Sequence, residues 1–516
     1  MSISRKDTLA ASASRSETTR NGWIACEAPV GFEDRRASGC TAQSGRDLLE
    51  APDHSVVRKS AVQFFQLRNS RDPQGQAARL AEQFVTQNRV PLSLLDVTIE
   101  RDYDGNDVFF SVTTSSSVGA VPLFSPTSAR PDYGLVVQPR FPWAGIGPML
   151  AEMGWRIVPA ALRLPLLRRS ERRVPAWVIS CMVFARLQAL LARLDRRFEL
   201  VHGICGAPRG SVQWEEYATR QVPRARLLDV PCRYPELRDD RELKGAIRLT
   251  LERQLRSLET QREQGAFVHR LILAGEQLLS QVRTVPPYAP PAPVMESWLH
   301  RPLHGVAWLD GLQAIEWTME ERGLAGVSDL EGIPWTMSMD QFFEAWVETL
   351  LRAVATRIGG RLKVGRNRET TAPLVWEPPY LGSQKSLAPD LWLEWETCTL
   401  IVDAKYKRHW EELQQGTWSS AGETLREQHR HDLLQVLAYA NLARTQHIVA
   451  CLTYPCSQPT WESLLSRGRL FHKADLQVHD RVLRVWLTAV PMNAAVDRVA
   501  TPLVRELQAL HRELAR

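Results

Sequence analysis

The sequence predicts an α+β multidomain protein. Its C-terminal part should be a mixed sheet flanked by helices, following a β-rich module and a helical middle section. Three observations carry this. A chain of 516 residues holds roughly two to four domains. The stretch Val285-Pro286-Pro287-Tyr288-Ala289-Pro290-Pro291-Ala292-Pro293 breaks any helix and should be a stiff, extended connector. Beyond it, two short runs rich in aromatic and β-branched residues, Leu391–Trp395 and Thr399–Val402, are joined by a polar turn and followed by an amphipathic helix.

Taken in order, residues 1–55 read as a disordered tail. They are rich in Ser, Arg and Thr up to Arg46 and lack the apolar stretch of a secretory signal. Acidic residues Asp7, Glu17, Glu27, Glu33 and Asp34 argue against a transit peptide. Residues 56–142 should form a small β-rich module, with a helix over Ala77–Asn88 and strands over Leu95–Arg101, Val108–Thr113 and Tyr133–Gln138. Residues 143–329 turn mainly helical, over Ile146–Met153, Trp177–Arg196, Asp240–Leu258, Ala266–Val282 and Leu303–Gly323, with the Pro-rich connector at 285–293. Residues 330–516 form the last domain, closed by an amphipathic helix from about residue 493. The chain shows no internal repeat.

Composition sets bounds without naming a function. A 44% hydrophobic content and 17 Trp supply ample core. The net charge of +6 leaves 64 basic residues nearly balanced by 58 acidic ones, so a mixed-charge surface is expected. Cysteines at 26, 40, 181, 205, 232, 398, 451 and 456 form no C-x-x-C pair. Such scatter reads as reduced thiols in a cytoplasmic protein. No run approaches the roughly 18 apolar residues of a membrane span, so no membrane partner is expected. The absence of G-x-x-x-x-G-K-[ST] argues against a nucleotide-driven motor in this chain.

Chemistry concentrates between Ala388 and Tyr439. Asp390 opens the first apolar run, and Asp403 and Lys405 end the second. A turn at Glu396-Thr397-Cys398 folds one strand on the other, bringing Asp390 to Asp403. Alternation in Asp403-Ala404-Lys405 directs the Asp and Lys to one face. Two carboxylates of this kind suit Mg²⁺, which is usually held by one or two carboxylates plus substrate phosphate. With a metal-held water they are equipment for cutting a phosphodiester bond. Lys405 would hold or deprotonate that water or stabilise developing charge, with a pKa lowered by its partly dry site. Gln435 and Tyr439, at i and i+4, share a helix face.

The order P-D, strand, turn, strand, D-x-K and then Q-x-x-x-Y resembles the PD-(D/E)XK nuclease superfamily in its Q-x-x-x-Y branch. Within it, D-A-K-Y-K followed by D-L-L-Q-V-L-A-Y-A is most similar to McrC, the nuclease subunit of McrBC-type modification-dependent restriction systems. Phe343-Glu344-Ala345-Trp346-Val347 resembles the family's F-E-x-φ-V helix (φ, apolar). Weaker similarity runs through Arg209-Gly210-Ser211-Val212 and Lys244-Gly245-Ala246-Ile247 in the middle section, and through Val118–Val121 and Leu135–Arg140 in the β-rich module.

The resemblance implies a Mg²⁺-dependent DNA endonuclease (Mn²⁺ able to substitute), with Glu344, Asp390 and Asp403 toward the metal. It assigns catalytic positions to Asp390, Asp403, Lys405, Gln435 and Tyr439, the last two supporting the site and contacting DNA. It also implies a separate AAA+ GTPase or ATPase partner, bound through the section before the nuclease domain. Two rival readings stay open: a stand-alone repair nuclease of the same superfamily, and a non-enzymatic adaptor that stimulates a motor.

Three further features stand apart from this set. Lys407 and Arg408 follow the proposed catalytic lysine and are candidates for a phosphate contact on DNA near the scissile bond. Arg163, Arg168, Arg169, Arg172 and Arg173 are a DNA-backbone contact, which would be salt-sensitive, or a surface for water or an acidic partner. Trp376, Trp392 and Trp395 read first as packing for the sheet.

Overall fold

The strand His447–Cys456 organises the C-terminal sheet. It is buried from Ile448 onward, as expected of a strand covered on both faces. In the computed structural model, six strands run in the order Arg361–Val364, Leu391–Trp395, Cys398–Ala404, His447–Cys456, Arg481–Pro491 and Phe471–Val478. The three central strands, Cys398–Ala404, His447–Cys456 and Arg481–Pro491, are mutually parallel, and the remaining pairings are antiparallel. The described residues are 24–25, 48–165, 175, 177–194, 197–238, 240–300, 305–320, 323–324, 332–380, 382–410, 423–478, 481–492 and 495–514.

Period-two alternation divides the sheet's side chains between two cores. Leu400, Val402, Val449 and Cys451 join the large core that includes Val347, Leu350, Leu351 and Val354 of the Met339–Ile358 helix. Ile401, Ala450 and Leu452 join a second core with Val436, Tyr439 and Ala440 of the Glu423–Ala440 helix. Each fully buried Leu, Ile or Val contributes about 1.5–3 kcal/mol. The closing helix, Val496–Leu514, packs beside Met339–Ile358. That longer helix is bounded by Ser338, whose side chain accepts from the Gln341 amide, and by Gly359 in the left-handed region.

The expected tail does not extend to residue 55. Leu48–Pro52 is a strand pairing in parallel with Tyr133–Gln138, and its alternation buries Leu49 and Ala51. Five residues with only two core side chains are too short to stand out as a strand in the sequence. Ile24–Ala25 pairs with Ile157–Val158, and the remainder of 1–47 lies outside the described residues.

The boundary expected at 330 also moves. Trp335–Ser338 pairs antiparallel with Ser117–Leu123 in the same five-stranded sheet as Leu48–Pro52, so that sheet closes with residues just ahead of the Met339–Ile358 helix. Gly119 permits the approach, since a Cβ there would stand 2.1 Å from the Trp335 carbonyl oxygen. A separate three-stranded antiparallel sheet, with Asp107–Thr114 between Val56–Ser60 and Val97–Asp104, completes the β-rich module.

The middle section is not all helical. Trp177–Leu191, Arg241–Glu259, Ala266–Val282 and Val306–Met319 are helices as expected. Between the first two, however, Arg197–Cys205 and Val230–Arg238 pair over nine residues, with Ser211–Val212 alongside. Leu200 and Ile204 are 60% and 59% exposed there, so no core-facing alternation marked the first strand. The Pro-rich connector runs without regular structure until a helix begins at Ala292.

Candidate active site

The two strands predicted to carry the acidic pair form an antiparallel hairpin with Leu391 opposite Val402, which sets Asp390 against Asp403. The turn is Glu396-Thr397, one residue tighter than expected, with Glu396 at φ 47° and Cys398 already in the strand. Asp390 is fixed from three sides. The Ala404 amide donates to its Oδ2 at 2.9 Å, the Gly365 amide donates to its carbonyl at 2.8 Å, and Thr370 Oγ1 donates to the neighbouring Pro389 carbonyl at 2.7 Å. Gly365 fits because a Cβ would lie 2.4 Å from the Pro389 oxygen.

Asp403 is buried, and neither of its side-chain oxygens has a well-directed hydrogen bond. Lys405 Nζ stands 3.0 Å from Asp403 Oδ2, a close ion pair. The Lys405 amide extends the sheet by donating to the Thr453 carbonyl at 2.9 Å. Opposite, Gln435 Nε2 donates to Tyr439 Oη at 2.8 Å, so the two helical positions act as one unit.

Electrostatics tie these groups together. Burial, then Asp403 and Glu344, push the Asp390 carboxyl well above the usual range. Burial also raises Asp403, with Lys405 opposing. Glu344, on the Met339–Ile358 helix, is raised by burial against the pull of Arg366, with Glu348 and Asp403 adding to the rise. The structure thus brings Glu344, Asp390, Asp403 and Lys405 together. Tyr439, raised by burial, feels both Asp403 and Asp390.

The lysine differs from expectation. Burial works to lower its pKa, but Asp403, Asp390 and Asp432 outweigh it, and Lys405 stays above its ordinary value. Carboxylates without a cation hold the ammonium charged.

The donor set fits a hard divalent ion. A buried carboxylate with two undirected oxygens beside a second carboxylate is costly unless positive charge meets it. Among the described residues no three His, Cys, Asp or Glu side chains form a ready cage, so the set is Asp390 and Asp403 with Glu344 nearby.

Lys407 and Arg408 are not poised as expected. Lys407 Nζ is bonded to both oxygens of buried Asp432, at 2.7 and 2.8 Å, and an Arg408 Nη reaches the His54 carbonyl at 3.4 Å. The chain bends after Ala404, and the following residues pack against other elements instead of extending into solvent. Of the tryptophans, Trp395 is buried and Trp392 half-buried, but Trp376 is 47% exposed on a loop, so core packing does not describe it. Arg163 is half exposed, 3.9 Å from Asp310, while Arg168, Arg169, Arg172 and Arg173 lie outside the described residues.

Two residues escaped the sequence reading. Glu348, one turn past Glu344, gathers Arg156, Arg352 and Arg366, each at 2.7 Å. Asp432, three before Gln435, could have been found from its i, i+3 spacing.

Residues 319–455, which hold Glu344, Asp390, Asp403, Lys405, Gln435 and Tyr439, match the family model of the McrBC 5-methylcytosine restriction system component. Over this segment the chain is similar to the McrBC family. The match spans well under half of the chain, and it encloses the F-E-x-φ-V, D-x-K and Q-x-x-x-Y positions alike. Two solved structures from Thermococcus gammatolerans are similar. One is a half-complex from a tetradecameric assembly of McrB AAA+ hexamers with bound McrC, at 14% identity and TM-score 0.37, covering 90% of this chain and 100% of that one. The other is the McrBC complex, at 14% identity and TM-score 0.24, covering 60% of this chain and 88% of that one. At those scores neither likeness carries an argument. No curated protein matches the chain. No described helix is long and apolar enough to cross a membrane.

Proposed function

We propose that this chain is the nuclease subunit of a McrBC-like restriction complex: a Mg²⁺-dependent DNA endonuclease of PD-(D/E)XK fold, activated by a separate AAA+ GTPase or ATPase. The observation that carries the reading is the convergence of Asp390 and Asp403 at adjacent strand ends, with Lys405 3.0 Å from Asp403 and the Gln435–Tyr439 pair on the facing helix. An adaptor with an idle site has no need to keep a buried, mutually repelling acidic pair beside a lysine. The enclosing McrBC match supports a restriction role over a repair role.

Asp390 and Asp403, with Glu344 nearby, would hold the ion. A bound Mg²⁺ supplies charge neutralisation at the scissile phosphate and acidifies a water, chemistry in which Mn²⁺ would substitute. Lys405, charged in the absence of an ion, orients that water or stabilises the negative charge that grows on the phosphate oxygens. Gln435 and Tyr439 hold each other, and as a pair they would support the acidic site and meet the DNA backbone. The Ala404 amide keeps the Asp390 carboxylate aimed.

The test is plasmid cleavage by the full-length chain with Mg²⁺, with and without an AAA+ partner and its nucleotide. Cleavage that requires the partner supports the complex. Cleavage without nucleotide would favour a stand-alone nuclease. Stimulated nucleotide hydrolysis with no cleavage under any combination would make the chain an adaptor.

A further inference from the structure

Asp432 is buried to 1% exposure and lies on the same helix face as Gln435 and Tyr439, three and seven residues on. An isolated buried carboxylate is expensive, and here it is fully answered. Lys407 Nζ donates to Oδ1 at 2.7 Å and Oδ2 at 2.8 Å, and Tyr454 Oη donates to Oδ2 at 2.9 Å. The partners come from different elements. Lys407 is two residues past Lys405, and Tyr454 follows Thr453, whose carbonyl accepts the Lys405 amide. His409 stacks on Tyr454 with ring centroids 4.3 Å apart and on His429 at 5.0 Å, walling the group with flat rings.

We infer that Asp432, gripped by Lys407 and Tyr454, is a positioning residue: it fixes the Gln435–Tyr439 face of its helix against the strand end bearing Asp403 and Lys405. This rests on the nuclease reading for its consequence in catalysis, but the clamp is a statement about geometry. It reassigns Lys407 from DNA contact to an internal strut. A strut acts on turnover, because misplacing a supporting group by a fraction of an ångström affects the reacting geometry far more than the grip on DNA. A DNA contact would act on affinity and on its salt dependence.

A double-mutant cycle separates the two, using the full-length chain with its AAA+ partner, a supercoiled plasmid and Mg²⁺. Asp432→Asn and Lys407→Met should each lower kcat by about 10- to 100-fold, as outer partners of ligating groups do, with KM and DNA affinity unchanged. The double variant should be no slower than the worse single variant, and Lys407→Arg should recover most of the rate. Hydrogen exchange over residues 429–440 should quicken in Asp432→Asn, with the Val496–Leu514 helix unaffected. Additive losses, or weakened DNA binding in Lys407→Met with Asp432→Asn silent, would overturn the clamp. If wild type fails to cut, the nuclease reading fails, while hydrogen exchange still decides the clamp: unchanged protection in Asp432→Asn would refute it.

Discussion

Tyr406 donates a 2.5 Å hydrogen bond to Asp53, joining residues 353 positions apart. Tyr406 follows the proposed catalytic lysine directly, and Asp53 follows the first strand of the N-terminal sheet. The Arg140 guanidinium covers the Tyr406 ring at 4.5 Å and donates to the Lys407 carbonyl at 3.1 Å, while the Arg140 amide donates to Asp53 Oδ1 at 2.9 Å. The N-terminal module therefore grips the strand end that carries Asp403 and Lys405. Tyr406→Phe removes the hydroxyl and leaves one Asp53 oxygen without this partner. The expected cost is about 1–3 kcal/mol, read as a lowered midpoint in thermal unfolding. An unchanged midpoint would mean that the grip rests on ring packing alone.

The Asp390 side chain trades stability for function. Burial and two carboxylate neighbours disfavour its charge, whereas Asn keeps an oxygen for the Ala404 amide. Asp390→Asn should therefore raise the melting temperature of the metal-free protein and abolish cleavage. Mg²⁺ should raise the melting temperature of wild type and leave the variant unmoved, since only an ion-binding folded state gains from it. Scanning fluorimetry with and without Mg²⁺ reads both effects.

How much of this was legible in sequence follows from periodicity. Leu391–Trp395 and Tyr133–Gln138 were readable because apolar or aromatic runs end at polar residues, the Trp177 helix because a long apolar run begins there, and the Ala266 helix because an amphipathic run does. D-x-K and Q-x-x-x-Y could be read because their spacing is local to one strand and one helix. Trp335–Ser338 was illegible for the opposite reason: its partner, Ser117–Leu123, lies more than two hundred residues away. The pairing of Lys407 with Asp432 was not legible, since nothing near Lys407 announces a carboxylate across an intervening segment.

Glu348 should be the most sensitive surface-to-core link of its helix. Its carboxylate is 1% exposed, and burial is more than offset by Arg156, Arg366 and Arg352, which hold it below its ordinary pKa. Glu348→Ala leaves three guanidinium groups facing one another, so a loss of about 3–5 kcal/mol is expected, as for breaking a buried pair. Chemical denaturation measures it. A loss below about 1 kcal/mol, the range of an exposed pair, would contradict this account.

Acid should unfold the protein partly through two histidines. Burial lowers His54 and His409 to about 4, from a free value of 6.5. Between those limits the unfolded chain binds protons that the folded chain refuses. The histidine contribution is intact above about pH 6.5 and is lost as pH falls toward 4. Replacing His409 by Phe, which keeps a flat ring against Tyr454, should flatten the fall in melting temperature across that interval. An unaltered slope would show that His409 is not buried neutral.

The central claim, that Asp390 and Asp403 hold a metal for phosphodiester cleavage, is tested most directly by one comparison. Supercoiled plasmid is incubated with Mg²⁺, an AAA+ partner and its nucleotide, and either wild-type chain or Asp403→Ala, with EDTA as control. The account predicts cutting by wild type that EDTA abolishes, and none by Asp403→Ala despite intact partner binding. Equal cutting by both, or cutting that persists in EDTA, would contradict it.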